Sequence, residues 1–177
     1  MPHPQLTEPQ IRQLANWVAA YISEQRTSLL AKASSIEPPP RSALQSFFPA
    51  EVLETVKIVR GRASGPAFYA QLRSIGITNA PRFSEMAGIT FQDVVVHVEP
   101  LTRQVLFHEL VHAVQYRQLG WQGFAEHYVR GFLSSGSYEE IALEKQAYEL
   151  GGRFVKHPTD CISVDPDVRR RLKLQQL

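Results

Sequence analysis

The segment His108-Glu109-Leu110-Val111-His112 constrains the fold more than any other part of this chain. Residues four apart on a helix lie nearly one above the other, so a helix brings both imidazoles to the same side. The remaining positions of this stretch are apolar, which predicts that the helix is buried. Thr102 is placed to cap the helix and Gly120 to end it, so we predict a helix through about Leu119.

A β-branched run precedes this helix and indicates a strand. Val94-Val95-Val96-His97-Val98 closes a strand region predicted from Ile89 to Val98, and another strand is predicted from Val52 to Arg60. Further helices are predicted at Pro66–Ser74, Gln122–Leu133 and Tyr138 to about Val155. The order predicts an α+β fold, mainly helical, with a small sheet preceding the helix that carries the histidines.

The N-terminal region is predicted to form one long helix. Thr7-Glu8-Pro9-Gln10 is typical of a capping box, and apolar residues recur at helical spacing toward Ala33. Pro38-Pro39-Pro40 then predicts a stiff linker. We therefore divide the 177 residues into an N-terminal helical arm and linker (1–40), a main domain (41–157) and a C-terminal tail (158–177).

Composition excludes several classes of protein. The formal charge is only +2 with acid and base mixed, which does not favour a nucleic-acid surface, and we interpret the Arg169-Arg170-Arg171 run as part of a solvated helix. The single cysteine, Cys161, allows no internal disulfide and no cysteine-based zinc finger, and we interpret it as incidental. A reducing compartment is the simpler expectation.

Targeting signals are not evident in the sequence. The start, Met1-Pro2-His3-Pro4-Gln5, has neither a basic nor an apolar region of the kind that signal peptides carry. No apolar run approaches the roughly 20 residues of a membrane span. We therefore expect a cytoplasmic protein without a membrane partner.

The histidine pair has the spacing and chemistry of a zinc site. Neutral imidazole suits Zn²⁺, and two histidines with one carboxylate leave the fourth position for a water molecule. Glu109 lies beside the first histidine, where it can take a proton from that water. The pattern predicts His108 and His112 as metal ligands and Glu109 as the catalytic base.

A third ligand must come from elsewhere in the chain. Histidines 97, 127 and 157 or a carboxylate can supply it, and the segment Ser137–Tyr148 is the best source. Ser137 and Glu140 have the spacing of a capping box, which gives Glu140 a role at the helix start. Glu144 lies one turn deeper beside the small Ala147, where two helices can approach closely, so we favour Glu144 over Glu140 or a histidine.

These residues resemble a known family. The histidine pair followed by Glu144-Lys145-Gln146-Ala147 resembles the gluzincin metallopeptidases, whose third ligand is a glutamate on a later helix. It also resembles small bacterial peptidase-like domains with a His-Glu-Leu-x-His-x-x-Gln pattern, which Gln115 completes. The resemblance covers about Val52 to Phe154, includes the strand ahead of the metal helix, and implies a minimal zincin-like core.

One position departs from the family pattern. The aspartate expected four residues after the third ligand is Tyr148 here, so Gln115 or a backbone carbonyl is expected to orient a ligand histidine instead. Tyr148 is also the first candidate for stabilising the transition state; the others are Tyr138, His127 and Arg153.

The expected function is zinc-dependent hydrolysis of a peptide bond in a peptide or protein substrate. One alternative is a non-catalytic binding or interaction domain in which zinc only pins two helices together. The intact Glu109 favours the enzyme, because a structural zinc site has no use for that carboxylate and usually closes all four positions with protein ligands. The other alternative is a metal-free helical interaction protein. Neither the substrate nor the oligomeric state is apparent from the sequence.

Overall fold

The computed structural model describes residues 5–135, 137–159 and 162–174, and Cys161 lies outside them. The helices are α1 (Glu8–Leu30), α2 (Pro38–Ser42), α3 (Ala50–Thr55), α4 (Pro66–Ser74), α5 (Arg103–Ser135), α6 (Ala142–Lys156) and α7 (Val164–Lys173). The strands are β1 (Ser34–Ser35), β2 (Lys57–Arg60), β3 (Gly88–Phe91) and β4 (Val94–His97). The fold is therefore α+β and mainly helical with a small sheet, as predicted.

The sheet is mixed and has the strand order β1-β2-β4-β3. β2 and β4 run parallel, whereas β3 and β4 form an antiparallel hairpin. The predicted strand from Ile89 to Val98 is therefore wrong at its centre, where Gln92 adopts a positive φ of 60° and the chain reverses. This arrangement leaves β3 at the edge of the sheet, in contact with α5.

α5 is the central element of the molecule. Leu110, Val111 and Val114 are fully buried, and the helix contributes to both hydrophobic clusters of the core. Gly120 interrupts it with φ 69° and ψ 168°, a conformation that glycine adopts without steric cost. The predicted end at Gly120 is thus confirmed as a break, and the second segment, predicted from Gln122 to Leu133, continues to Ser135.

Two local predictions are wrong. Pro38-Pro39-Pro40 begins the short helix α2 instead of forming a stiff linker, because proline is tolerated in the first turn of a helix. The predicted strand from Val52 is helical as far as Thr55, and only Lys57–Arg60 pairs in the sheet. Val52 and Leu53 are buried in the second core cluster, so tertiary packing overrides their β propensity.

Both terminal segments pack into the core. α1 begins with the predicted capping contact, in which Gln10 Oε1 accepts a hydrogen bond from the Thr7 amide at 2.8 Å. Leu14 and Ile22 of α1 are buried in the first cluster, and Val164 and Val168 of α7 are buried in the second. The regions expected to be an arm and a tail therefore help to enclose α5. None of the helices in the described ranges is long and apolar enough to cross a membrane.

Candidate metal centre

Three potential ligands meet between α5 and the first turn of α6. His112 Nε2 lies 3.0 Å from His108 Nε2, and Glu144 Oε2 lies 3.2 Å from His108 Nε2 and 3.4 Å from His112 Nε2. The histidines come from successive turns of α5, and Glu144 reaches them from the neighbouring helix. The structure therefore brings together His108, His112 and Glu144.

The other candidates for the third ligand lie elsewhere. Glu140 is exposed at the 3₁₀ turn before α6, where it forms an ion pair with Lys145 at 2.5 Å. His97 is buried in β4, and its ring lies 3.3 Å from the Val98 carbonyl. Neither belongs to the group of residues that can share an ion.

The three residues fit a zinc ion. Ligand atoms that bind one tetrahedral Zn²⁺ at about 2.0–2.1 Å lie about 3.3 Å from one another, and the three distances here bracket that value. Glu144 Oε2 is buried and accepts no well-formed hydrogen bond from any described residue. A carboxylate oxygen left in that state is costly, and a cation between it and the imidazoles would satisfy it.

The electrostatics of the ligands are strongly coupled. Burial disfavours the charged form of the Glu144 carboxyl, but the adjacent imidazoles of His112 and His108 hold its pKa below the ordinary value. Burial likewise lowers the pKa of His112, but the Glu144 carboxylate outweighs it and raises that pKa to about 9. The site therefore favours positive charge beside Glu144, which a bound metal ion also supplies.

Glu109 is held next to the ligands without being one. Its side chain is buried, and Oε2 accepts a hydrogen bond from the Thr90 hydroxyl of β3 at 2.7 Å. Burial is the main cause that raises the pKa of the Glu109 carboxyl above its ordinary value. A raised pKa suits a general base, because it brings proton affinity closer to neutral pH.

Gly88 makes room for the Glu109 carboxylate. A Cβ at this position would lie 2.7 Å from Glu109 Oε1 and 2.9 Å from Val105 Cγ1, closer than real contacts allow. Both carboxylate oxygens therefore lie against β3, with Oε2 bound to the Thr90 hydroxyl and Oε1 beside Gly88. Glycine at the start of β3 therefore allows the sheet edge to approach the base closely.

We expect Gly88→Ala to destabilise the protein by about 1–3 kcal/mol, because the added methyl group forces Glu109 or β3 to move. Gly152→Ala is the matched control, since nothing lies within 4 Å of its ideal Cβ and alanine favours the helical state of α6. Urea unfolding of both variants measures the difference. Equal stability of the two variants would show that the Glu109 carboxylate does not depend on the space at Gly88.

Gln115 orients one of the ligand histidines. His112 Nδ1 lies 2.8 Å from Gln115 Oε1, and Gln115 Nε2 donates to the Leu143 carbonyl at 3.0 Å. The carbonyl accepts only, so it places the amide nitrogen of Gln115 toward α6 and the amide oxygen toward the ring. With a metal ion bound, His112 would keep its proton on Nδ1 and direct the Nε2 lone pair to that ion.

The metal position lies between an open cleft and an inner cavity. The cleft has a volume of about 270 Å³, and Met86, Gly88, Gln104, His108, Tyr138 and Tyr148 are among its lining residues. The cavity has a volume of about 60 Å³ and a mainly apolar wall that includes Val18, Tyr21, Ile89, Phe124 and Tyr128. Glu109 lines both spaces, so it is accessible to a ligand in the cleft.

The tyrosines around the site take different positions. Tyr148 is 51% exposed, and its ring centroid lies 4.6 Å from that of His108, at the mouth of the cleft. Tyr138 lines both the cleft and the cavity, whereas His127 and Arg153 line neither. Of the four candidates for stabilising the transition state, only the two tyrosines are therefore placed at the cleft.

Sequence reasoning missed several residues of the site. Tyr128 donates a hydrogen bond to Glu144 Oε1 at 3.1 Å. Thr90 was predicted only as part of a strand, and Gly88 lies just outside the bounds of that predicted strand, although both adjoin Glu109. Their roles depend on which strand lies against α5, and no local pattern in the sequence carries that information.

Comparison of the chain with protein-family models, curated proteins and solved structures finds no match. The resemblance to gluzincins therefore remains a prediction that rests on the residues of the site.

Proposed function

We propose that this protein is a zinc-dependent hydrolase that cleaves peptide bonds. The observation that carries the proposal is a buried glutamate, Glu109, that adjoins three convergent ligand atoms without being one of them. A purely structural zinc site closes its coordination with protein ligands, whereas a catalytic site keeps a position open for water. Two histidines and Glu144 leave that position, and Glu109 adjoins it from α5 and opens onto the cleft.

The mechanism is hydrolysis by a water molecule that Glu109 deprotonates. His108, His112 and Glu144 would hold the zinc ion, which would supply Lewis acidity and a lowered pKa of bound water. Glu109 Oε1 accepts the water proton while the new C–O bond forms, and the Thr90 hydroxyl holds Oε2. The same carboxyl then returns the proton to the leaving nitrogen as the C–N bond breaks.

β3 is the element that would bind an extended peptide. The Val98 amide donates a hydrogen bond to the Ala87 carbonyl. Hydrogen-bonded and non-hydrogen-bonded pairs alternate along the hairpin from there, so the N–H and C=O groups of Gly88 face away from β4. Gly88 also lines the cleft, next to Glu109. A substrate strand added at this edge would lie across the metal position by main-chain hydrogen bonds. The adjoining apolar cavity would take an apolar side chain of that substrate.

Metal analysis and peptide cleavage test the proposal together. We expect purified protein to hold one zinc ion, and addition of zinc at 1,000 times its dissociation constant to stabilise the chelated protein by about 4 kcal/mol. A mixed library of synthetic peptides analysed by mass spectrometry should show cleavage that stops on chelation and returns with zinc. Protein that contains no zinc after purification and is not stabilised by added zinc would contradict the proposal.

Zinc binding without cleavage favours the non-catalytic alternative, in which the ion pins α5 to α6. The two functions differ in what Glu109 contributes, because a pinned structure needs only the three ligands. Substitution of Glu109 therefore separates the two functions more sharply than the peptide library does.

A further inference from the structure

A chain of buried polar side chains runs from the metal site to the C-terminal helix. His112 contacts Gln115, Gln115 Nε2 donates to Gln146 Oε1 at 3.0 Å, and Gln146 Nε2 donates to Asp167 Oδ2 at 2.9 Å. Gln115 and Gln146 are completely buried. We propose that Asp167 of α7 is a positioning residue for the metal centre, acting through Gln146 and Gln115 to present the Nε2 lone pair of His112.

Asp167 lies at the acceptor end of this series of hydrogen bonds. Arg170 and Arg171 donate to Asp167 at 2.6 Å and 3.0 Å, and an ionised carboxylate has acceptors only. Burial raises the pKa of Asp167, but the two guanidiniums outweigh it and hold that pKa below its ordinary value. Asp167 therefore remains an acceptor at neutral pH, and the group that faces it must be a donor.

That acceptor sets the direction of the Gln146 amide, which in turn supports the orientation that the Leu143 carbonyl gives Gln115. Gln146 must turn its amide nitrogen to Asp167 and hence its oxygen to Gln115. Gln115 in turn must face Gln146 with its nitrogen and His112 with its oxygen. A flipped Gln146 would set two amide nitrogens against each other in a fully buried place, where an unpaired donor costs about 1–3 kcal/mol.

α6 thus engages the amide nitrogen of Gln115 with two acceptors, and α7 orients one of them. The Leu143 carbonyl holds one hydrogen of its amide nitrogen, and Gln146 holds the other. With both hydrogens engaged, the Gln115 oxygen stays directed at His112 Nδ1. The ligand geometry of α5 therefore depends on how α7 is docked, although α7 contributes no ligand.

The test measures zinc affinity in variants of the full chain by competition with a chromophoric chelator. The inference rests on the metal site of the proposed function, but it needs no substrate. We expect Asp167→Ala and Gln146→Met each to weaken zinc binding by about 3-fold or more. Gln115→Leu should have the largest effect of the three, about the 10–100-fold loss of affinity typical of an outer-shell partner. In the Gln146→Met background, Asp167→Ala should have no further effect, because the connection is already broken.

Asp165→Ala is the matched control on the same helix. Like Asp167, Asp165 accepts a hydrogen bond from a glutamine of another helix, in this case Gln118 of α5 at 2.6 Å, and it pairs with an arginine, Arg169, at 3.0 Å. Its loss should lower the thermal unfolding midpoint about as much as Asp167→Ala, without changing zinc affinity. Gln146→Met leaves α7 untouched and keeps the inference testable if Asp167→Ala does not fold.

The possible outcomes are distinguishable. Zinc affinity that falls in Asp167→Ala and Gln146→Met but not in Asp165→Ala supports the role of Asp167. Equal affinity of the wild type and Gln146→Met, or equal losses in Asp165→Ala and Asp167→Ala, overturns it and leaves the proposed function standing. A wild-type protein that binds no zinc overturns both.

Discussion

Replacing Glu109 by glutamine is expected to leave zinc bound and to lower peptide hydrolysis by about 10²–10⁴-fold, the usual effect of losing a general base. Glutamine keeps the shape of the side chain, and its amide oxygen still accepts the hydrogen bond from Thr90. The three ligand atoms are unchanged, so zinc content should match the wild type. The amide cannot accept the proton of the attacking water, and this step alone is removed.

The control for this substitution is Glu140→Gln. Glu140 is an exposed glutamate that pairs with Lys145 before α6, and it belongs to neither the cleft nor the ligand group. We expect this variant to keep both zinc and activity. Equal hydrolysis by wild type and Glu109→Gln would show that Glu109 transfers no proton, and the zinc-pinned binding domain would then be the better account.

Replacing His112 by alanine is expected to abolish zinc binding under conditions that load the wild type. Two remaining ligands hold zinc poorly against water and buffer. The zinc affinity should therefore fall by more than the loss of about 10–100-fold that follows removal of an outer-shell partner. The substitution also leaves Gln115 without its ring partner and Glu144 Oε2 without one of its two imidazoles. Chelator competition and metal analysis of the purified variant measure the loss.

His97→Ala is the matched control for the loss of a buried imidazole. His97 and His112 are similarly buried, at 6% and 5% exposure, but His97 lies in β4 outside the ligand group. Both substitutions leave a cavity and should lower the unfolding midpoint, whereas only His112→Ala should lose zinc. Full zinc occupancy of His112→Ala would contradict the assignment of the site, and loss of zinc in both variants would indicate that folding alone controls binding.

Local pattern was enough to predict the helix that carries the site. The spacing of His108 and His112 specifies a shared helix face, because it matches the turn of an α-helix and needs no distant contact. The capping box at Thr7 and the break at Gly120 follow from equally local chemistry. The choice of Glu144 over Glu140 agrees with the geometry, because the sequence pattern places Glu140 at the helix start and Glu144 one turn deeper.

Local pattern failed where distant packing overrides it. The proline triplet and Val52 were assigned from their individual propensities, but both lie in short helices that pack or lead into the core. The reversal at Gln92 was missed because its flanking valines and isoleucine favour a single strand. The long helix α1 was expected to be an arm, since an amphipathic pattern shows that a face is buried without showing against what.

Sequence by itself indicated the residues on which the proposed chemistry depends: two imidazoles on one helix face, a carboxylate between them in the chain and a glutamate on a later helix. Only the tertiary structure decided the surroundings that allow this chemistry to be used. It placed β3 so that Thr90 and Gly88 meet Glu109, and it docked α7 so that Asp167 reaches the metal centre through two glutamines. The physical reason is the distance along the chain over which each interaction acts. Helix periodicity is set by adjacent residues, whereas these contacts join segments that only the complete core brings together.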